Sequence, residues 1–537
     1  MKHAKQIFYL FLVCSSFFFF TDKLFAQATA VKIPEEILES YTGRYALGSN
    51  FILVVTKIGD TLKVSPNNQP VISLSPLSLY KFIDKEHPEI SMEFVNIDGK
   101  IKKVILSQEG RIMEATKLEL DSNYNPEKKY SIEQLKKDFI LFRDILEKFH
   151  PRLYEFTPKE EFNIFFDSLY TVINKPMNEI EFRYFLLPAV AKVHCGHTIL
   201  EPSYQLAQYR LSLVQPFVLY YEGDKAYIRY SADPRLKPGI EVLDINGEPI
   251  KTRIENVLKR VSGDGIHSSV QYALINQPMS WFQYEMPTWF NMTTYKLRVI
   301  GPDKVEEEII SKAISPSEFG EAMLHQIQKK HHTLNILDDN KVAILTYPSI
   351  DFPIDSNNGN FVDITFQHLK EKNIPNLIID LRGNGGGSPD NAVYLLKYLM
   401  KKEFVYSITS DIPHFLQWTK PTSIAENRFN GKIYFLMDGL CASSTGHLLS
   451  MIKYYSLGPL IGEQSGAGFS SNTNGDPNSL LNTGLILKCP RGIYETAVKG
   501  FTRDIGIVPD YEVENALNDI ISGKDPILDF ALKQIYK

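Results

Sequence analysis

The sequence predicts a multidomain protein whose C-terminal part is an α/β core with a mixed, largely parallel sheet. A helical segment, a larger β domain and a small all-β module precede it. Three observations carry this reading. Beyond residue 335 apolar strands alternate with helical patterns, which argues for parallel strands joined by crossover helices. Residues 130 to 200 carry apolar side chains at steps of three and four. Residues 33–122 and 201–312 instead show short apolar or alternating runs separated by Gly, Asn and Asp turns. The length of 537 residues allows three or four domains of about 100–200 residues. With 44% hydrophobic residues, 31 Gly, 30 Pro and 4 Cys, the chain is neither disordered, nor collagen-like, nor a disulfide-stapled miniprotein.

The elements follow in order. Lys2 and Lys5 precede an apolar run from Ile7 to Phe20, and Ala26-Gln27-Ala28 offers small residues for cleavage. Residues 1–26 therefore read as a secretory signal peptide, too short in its apolar part for a comfortable membrane span, and the mature chain is expected in the periplasm or outside the cell. Residues 33–122 form the small all-β module, with Gly59-Asp60 and Asp98-Gly99 at hairpin turns. They resemble the barrel-like accessory domains of secreted bacterial hydrolases. In residues 130–200, the helical cap segment, Ser131-Ile132-Glu133-Gln134 has capping-box spacing and Leu135, Phe139, Phe142, Leu146 and Phe149 form one stripe. Thr157-Pro158-Lys159-Glu160 reads as a second helix start with Thr157 as its cap. Residues 201–312 contain Gly239-Ile240-Glu241-Val242-Leu243-Asp244-Ile245-Asn246-Gly247, then a helix near Ile254 to Val261; this is similar to the core of a PDZ-type domain. Residues 313–537 are the α/β core, with strands at Val342–Thr346, Leu377–Leu381 and Ile433–Met437 and helices near Val362–Glu371, after Pro389 and after Ser444.

Charge restricts the partners. There are 58 Lys and Arg against 63 Asp and Glu, a formal charge of −5; after cleavage behind Ala26, 55 against 62 gives −7. No basic run is long enough to neutralise a phosphate backbone, so no nucleic-acid partner is expected. Neither a cofactor nor a metal is called for by the motifs. Three cysteines remain in the mature chain, Cys195, Cys441 and Cys489, which leaves at least one thiol free or intermolecular.

Three separated segments carry chemistry. In Leu377-Ile378-Ile379-Asp380-Leu381-Arg382-Gly383-Asn384-Gly385-Gly386-Gly387 a buried strand runs into glycines, and Ser388-Pro389-Asp390 opens a helix. Bare backbone N–H groups beside a helix start make an anion or oxyanion site. The Gly-Lys-Ser/Thr ending of a phosphate loop is missing. In Ile433 to Gly446 a strand delivers Cys441-Ala442-Ser443-Ser444 to a helix start, which exposes a hydroxyl beside unpaired N–H groups. In Val193-His194-Cys195-Gly196-His197-Thr198 an imidazole follows a tight turn. Ser450-Met451-Ile452-Lys453 fits the Ser-x-x-Lys of penicillin-recognising enzymes, but Asn482-Thr483-Gly484 lacks the Lys of that pattern. Cys441 falls before the helix start and is a poor nucleophile candidate. Trp281 to Phe290 holds two of the three Trp and either lines an apolar pocket or caps the second β domain.

Together these segments resemble the secreted serine peptidases that include the C-terminal processing (tail-specific) proteases and the tricorn protease core. The resemblance spans roughly residues 130 to 515 and is most specific in Asp380 to Gly387, in Ala442-Ser443 and in Leu460-Ile461-Gly462-Glu463. It implies Ser443 as nucleophile, the N–H groups of Gly386 and Ser444 as oxyanion hole and His197 as general base. It also implies a substrate that is a peptide or protein. The Lys that Ser-Lys members carry after the Gly-Glu pair is absent before Lys488. A His base, with an ordinary imidazole pKa near about 6.5, needs no strong desolvation to be neutral at pH 7. Tricorn-like members place a Glu where this chain has Arg503, which leaves the neighbouring Asp504 as candidate orienting acid. The missing Lys and displaced acid also fit an alternative, a catalytically inactive member that binds peptides. Cys195 and Cys441 stand two residues before the candidate base and nucleophile, so a bridge between them is a further expectation.

Overall fold

Eight antiparallel strands, from Gly43–Ala46 to Arg111–Leu118, close into a barrel in which the first strand pairs with both the second and the eighth. Closure leaves no strand edge open to another chain. Alternation explains the curl: in Ser91–Ile97, Met92 and Phe94 point inward while Glu93 is exposed. Phe94 stacks on Tyr41, ring centroids 4.6 Å apart, from the short helix Glu35–Tyr41. Asp98 and Gly99 turn with φ of 52° and 81°, the double positive φ of a tight hairpin.

The computed structural model describes residues 33–537 apart from 47–51, 67–71, 85–89, 109–110, 119–123, 210–211, 268, 278–279, 281–283, 286–289, 302, 324–329, 338–340, 353, 356–358 and 412. The signal-peptide reading of residues 1–26 lies outside the described residues, as do Trp281 and Trp289. The chain divides after Glu119 into two compact units, and the second holds everything that follows.

Its first helices are Ile132–Phe149, Lys159–Thr171 and Glu179–Ala191. The first begins with the Ser131–Gln134 capping box and buries Leu135, Phe139, Phe142 and Leu146. Thr157 does not cap the second: the cap position is Pro158, and the Thr157 hydroxyl donates instead to the Lys192 carbonyl at 3.2 Å. Nor is 130–200 self-contained. Leu485, Leu487 and Cys489, on and beside the strand Ile486–Cys489, complete the helical core, and that strand pairs with Ile199–Glu201. Buried Asp138 ties the two regions together, accepting the N–H groups of Asn482 and Thr483 at 2.8 Å each and the Thr483 hydroxyl at 2.7 Å.

Between Phe217 and Lys312 five strands form an antiparallel sheet in sequence order, with Glu248–Pro249 pairing beside Glu241–Ile245. Asn246 and Gly247 make its tight turn with φ of 55° and 83°. Helix Ile250–Leu258 closes the sheet's core through Ile254 and Val257.

The last sheet runs Thr333–Leu337, Val342–Thr346, Asn376–Asp380, Lys432–Met437, Leu460–Gly462 and Tyr511–Glu512. Only the first strand is antiparallel to its neighbour. Leu377 and Ile379 face helices Phe361–Glu371, Pro389–Leu399 and Ser444–Tyr454, while Ile378 faces Pro526–Ile535. Cover on both faces is why these strands read as unbroken apolar runs. Parallel strands end on one edge, so the glycine segment after Asp380 and the serine segment after Met437 emerge side by side.

Replacing Asp138 with Ala strands the buried N–H groups of Asn482 and Thr483. A stability loss of roughly 2–4 kcal/mol is expected, seen as a lower urea midpoint of the Asp138→Ala protein. An unchanged midpoint would show that apolar packing alone holds 480–489 to the helices.

Candidate active site

The strand Asn376–Asp380 hands the chain to Leu381, whose N–H still bonds the Leu436 carbonyl at 2.9 Å. Arg382 then folds back: its guanidinium holds Asp380 through two bonds of 2.8 Å and Asp525 through bonds of 2.7 and 2.8 Å. The glycine loop is thereby fixed to the start of the last helix. Asn384, fully buried, donates to the Tyr347 carbonyl at 2.7 Å, and its side-chain oxygen accepts the Thr445 hydroxyl at 2.7 Å and the Gly386 N–H at 3.0 Å. Gly386 has φ 107°, and a Cβ there would lie 2.8 Å from the Ser443 Cβ and 3.1 Å from the Ser444 nitrogen.

Ser443 is the cap residue of helix Ser444–Tyr454, with φ 52° and ψ −129° and no side-chain capping bond. A non-glycine residue in this conformation stores about 1–3 kcal/mol. The surroundings hold it there: Ala442 N–H donates to the Asn384 carbonyl, and Gly466 and Ala467 both donate to the Cys441 carbonyl. The hydroxyl is thus turned away from its own helix. The Ser444 N–H sits in the first turn, where helix donors have no intrahelical acceptor.

His197 comes from 246 positions away, and its Nε2 stands 3.2 Å from the Ser443 Oγ. The turn that delivers it is built from backbone: His194, at φ 54°, donates to the Ala191 carbonyl, and Thr198 N–H donates to the Cys195 carbonyl. The other ring nitrogen, Nδ1, is buried with no hydrogen-bond partner among the described residues.

Asp504 does not reach that nitrogen. Its carboxylate is held below its ordinary range by the Thr502 hydroxyl; what faces inward is its carbonyl, which accepts the Ile266 N–H at 2.9 Å. Gly265, at φ 84°, lets the two backbones meet, since a Cβ there would lie 2.4 Å from the Asp504 oxygen. Arg503 instead bonds Glu495 at 2.7 Å, and Arg152 reaches the same carboxylate at 3.2 Å.

The acid beside His197 is Asp264, which the sequence reading passed over. Its Oδ1 accepts the Gly196 N–H at 2.8 Å, and one of its oxygens, a ring nitrogen of His197 and the Cys195 Sγ all lie within 4.8 Å of one another. Its one signal in the sequence is an acid between two glycines, Gly263-Asp264-Gly265, just after a helix. His447 was missed as well. One turn along the serine helix, it bonds the Ser471 hydroxyl at 3.0 Å through Nε2, and burial, then the charge of His197, pushes its pKa down to about 3. It is a neutral wall of the site.

Cys195 and Cys441 are both free and buried, in different cores. The Cys441 thiol donates to the Leu381 carbonyl at 3.2 Å, whereas Cys195 accepts from Asn472 at 3.1 Å. The bridge expected between them is not formed. Lys488 pairs with Glu201 at 2.6 Å, and Ser450 is buried on its helix, donating to the His447 carbonyl.

Residues 341–513 match Peptidase family S41. The chain is 32% identical over 166 residues to tricorn protease of Thermoplasma acidophilum, an alignment covering 30% of this chain and 14% of that relative. It is 25% identical over 160 residues to a tricorn protease homolog of Streptomyces coelicolor, covering 30% and 13%. The chain thus spans about one seventh of the length of these curated relatives. Among solved structures, mature CPAF complexed with lactacystin shares the fold, with a TM-score of 0.54 at 12% identity over 75% of this chain and 98% of that one. The family match and the tricorn relatives support a serine peptidase. Residues 341–513 are a domain of peptidase family S41.

A methyl group at 386 collides with backbone on the serine side and demands an unfavourable φ. Gly386→Ala is expected to lower kcat/KM for peptide hydrolysis by at least about 10²–10³-fold, the size of a lost oxyanion donor. Peptide cleavage at the wild-type rate by a folded Gly386→Ala protein would remove Gly386 from the site.

Proposed function

We propose that the protein is a secreted serine endopeptidase that cleaves peptides or proteins through Ser443, with His197 as general base. The observation that carries the reading is the 3.2 Å approach of His197 Nε2 to a hydroxyl held in a strained turn at a helix start. In the acylation step His197 takes the Ser443 proton as the oxygen attacks the peptide carbonyl; the imidazolium returns that proton to the leaving amine, and water then repeats the sequence on the acyl-enzyme. The Ser444 N–H and the Gly386 N–H receive the oxyanion. Asn384 occupies the Gly386 donor at 3.0 Å. A full negative charge is the stronger acceptor and takes that donor from the neutral amide. Asp264 is a positioning residue in this scheme, holding the Gly196–His197 turn through the Gly196 N–H. The antiparallel sheet of 217–312 serves as a PDZ-like peptide-recognition domain, and the helices of 130–200 as a cap.

Ser443→Ala and His197→Ala are expected to lose about 10⁴-fold or more of the hydrolytic rate, and a fluorophosphonate should label wild type at Ser443. Lys488→Ala and Lys499→Ala should cleave near the wild-type rate. A lysine variant that stays folded and is as inactive as Ser443→Ala overturns the His197 base. Binding of peptides without cleavage, equal for wild type and Ser443→Ala, supports the alternative of an inactive peptide-binding module, favoured by the partnerless Nδ1.

A further inference from the structure

We propose that Cys195, His197 and Asp264 form a capture site for a divalent transition-metal ion, Zn²⁺ foremost, whose binding switches the peptidase off. The inhibitory half of this proposal rests on the function proposed above; the binding half does not.

The three donor atoms lie within 4.8 Å of one another. Donors on a tetrahedral zinc stand about 3.3–3.7 Å apart, given metal–ligand distances of about 2.0–2.3 Å, so each pair closes by about 1.5 Å at most. The two loops that supply them are already joined by hydrogen bonds. Gly265 N–H donates to the His194 carbonyl at 3.2 Å, the Ser262 hydroxyl donates to the Cys195 carbonyl at 2.9 Å, and His194 Nδ1 meets the Gly265 carbonyl at 3.1 Å. The Gly196 N–H adds a further tie to Asp264 at 2.8 Å. A sulfur, an imidazole nitrogen and one carboxylate suit zinc or cobalt and not magnesium or calcium, which favour oxygen.

Charge balance favours the ion. On binding, the S–H proton leaves to solvent, a Zn–S bond forms, and the 2+ ion is neutralised by one thiolate and one carboxylate. Asn472, whose amide already donates to the sulfur at 3.1 Å, supplies the outer hydrogen bond that metal thiolates use.

Inhibition follows whichever ring nitrogen binds. A neutral imidazole has one nitrogen lone pair and one N–H. Metal on Nε2 takes the atom that faces Ser443; metal on Nδ1 leaves the proton on Nε2. In both cases nothing remains to accept the Ser443 proton.

The test uses the full chain with Ser443→Ala, so that binding is read without turnover, and Co²⁺ as the probe. One equivalent of Co²⁺ should produce a near-ultraviolet thiolate charge-transfer band that Zn²⁺ displaces, and the band should vanish when Cys195→Ser is added. X-ray absorption of the zinc-loaded Ser443→Ala protein should show one sulfur at about 2.3 Å and nitrogen or oxygen at about 2.0–2.2 Å, a reading that needs no substitution in the site. In kinetics, Zn²⁺ should inhibit peptide cleavage reversibly to chelation. Half-inhibition of Cys195→Ser, measured against its own zinc-free rate, should require at least about tenfold more zinc. No charge-transfer band with no sulfur at the metal, or a band that persists in Cys195→Ser, overturns the site. Sulfur-bound zinc with undiminished cleavage overturns the switch. Sulfur-bound zinc in a protein that never cleaves peptides upholds the site and overturns the proposed function.

Discussion

The candidate site depends on one buried amide. Asn384 joins three chain segments: it donates to the Tyr347 carbonyl, accepts from Thr445 on the serine helix, and accepts the N–H of Gly386 two residues on. Its carbonyl receives the Ala442 N–H as well. A side chain with both donor and acceptor ends is required, because the loop offers it a carbonyl on one side and a hydroxyl and an N–H on the other. Aspartate would present an oxygen to the Tyr347 carbonyl, and leucine would strand every partner in a dry interior. The Gly386–Ser443 approach exists because this amide closes the gap from behind, and because residue 386 has no Cβ to hold it open.

That approach in turn needs the parallel sheet. Strands Asn376–Asp380 and Lys432–Met437 run in register, Asp380 beside Leu436, so their following loops leave the same edge one strand spacing apart. The strain at Ser443 is confined to one residue. The Ala442 N–H and the Asn384 and Cys441 carbonyls beside it are bonded within the fold, whereas the Ser443 hydroxyl faces His197. The Arg382 bonds to Asp380 and Asp525 secure the same edge from the opposite side of the loop. Removing one partner from such a buried pair costs about 3–5 kcal/mol, so the motif's arginine is read here as holding the loop in place.

Much of this was legible in the sequence, and the failures share a cause. Periodicity located the strands at 342–346 and, within one residue, 433–437, and the Ser131 capping box was found as well, because those signals are local. Ser443, His197 and Gly386 were singled out through the family resemblance, which rests on the glycine and small-residue segments around them. Thr157 was misassigned because its hydroxyl has a tertiary acceptor, the Lys192 carbonyl, which outcompetes its own helix. Sequence proximity to base and nucleophile suggested a Cys195–Cys441 pair, yet the two thiols belong to the cores of different layers. Asp264 was illegible: its relation to Gly196 spans 68 positions, and no periodicity reports such a contact.

The choice between Asp504 and Asp264 follows from electrostatics around Arg503. Glu495 lies half-enclosed between Arg152 and Arg503, and Arg503 is also paired with Glu155. A carboxylate in place of Arg503 would leave Glu495 with one cation and add a like charge beside it, which is unfavourable where solvent is scarce. Position 503 therefore carries a cation, and the 502–506 turn presents the Asp504 carbonyl to the Ile266 N–H. An acid near the imidazole then has to come from another element. The loop after helix Ile250–Leu258 supplies it, at the end of a segment whose backbone bonds to both the His194 turn and the Asp504 turn. The acid's position thus ties the loop that follows the sheet's helix to the candidate base's turn, through the Gly196 N–H bond to Asp264 and the Gly265 N–H bond to the His194 carbonyl.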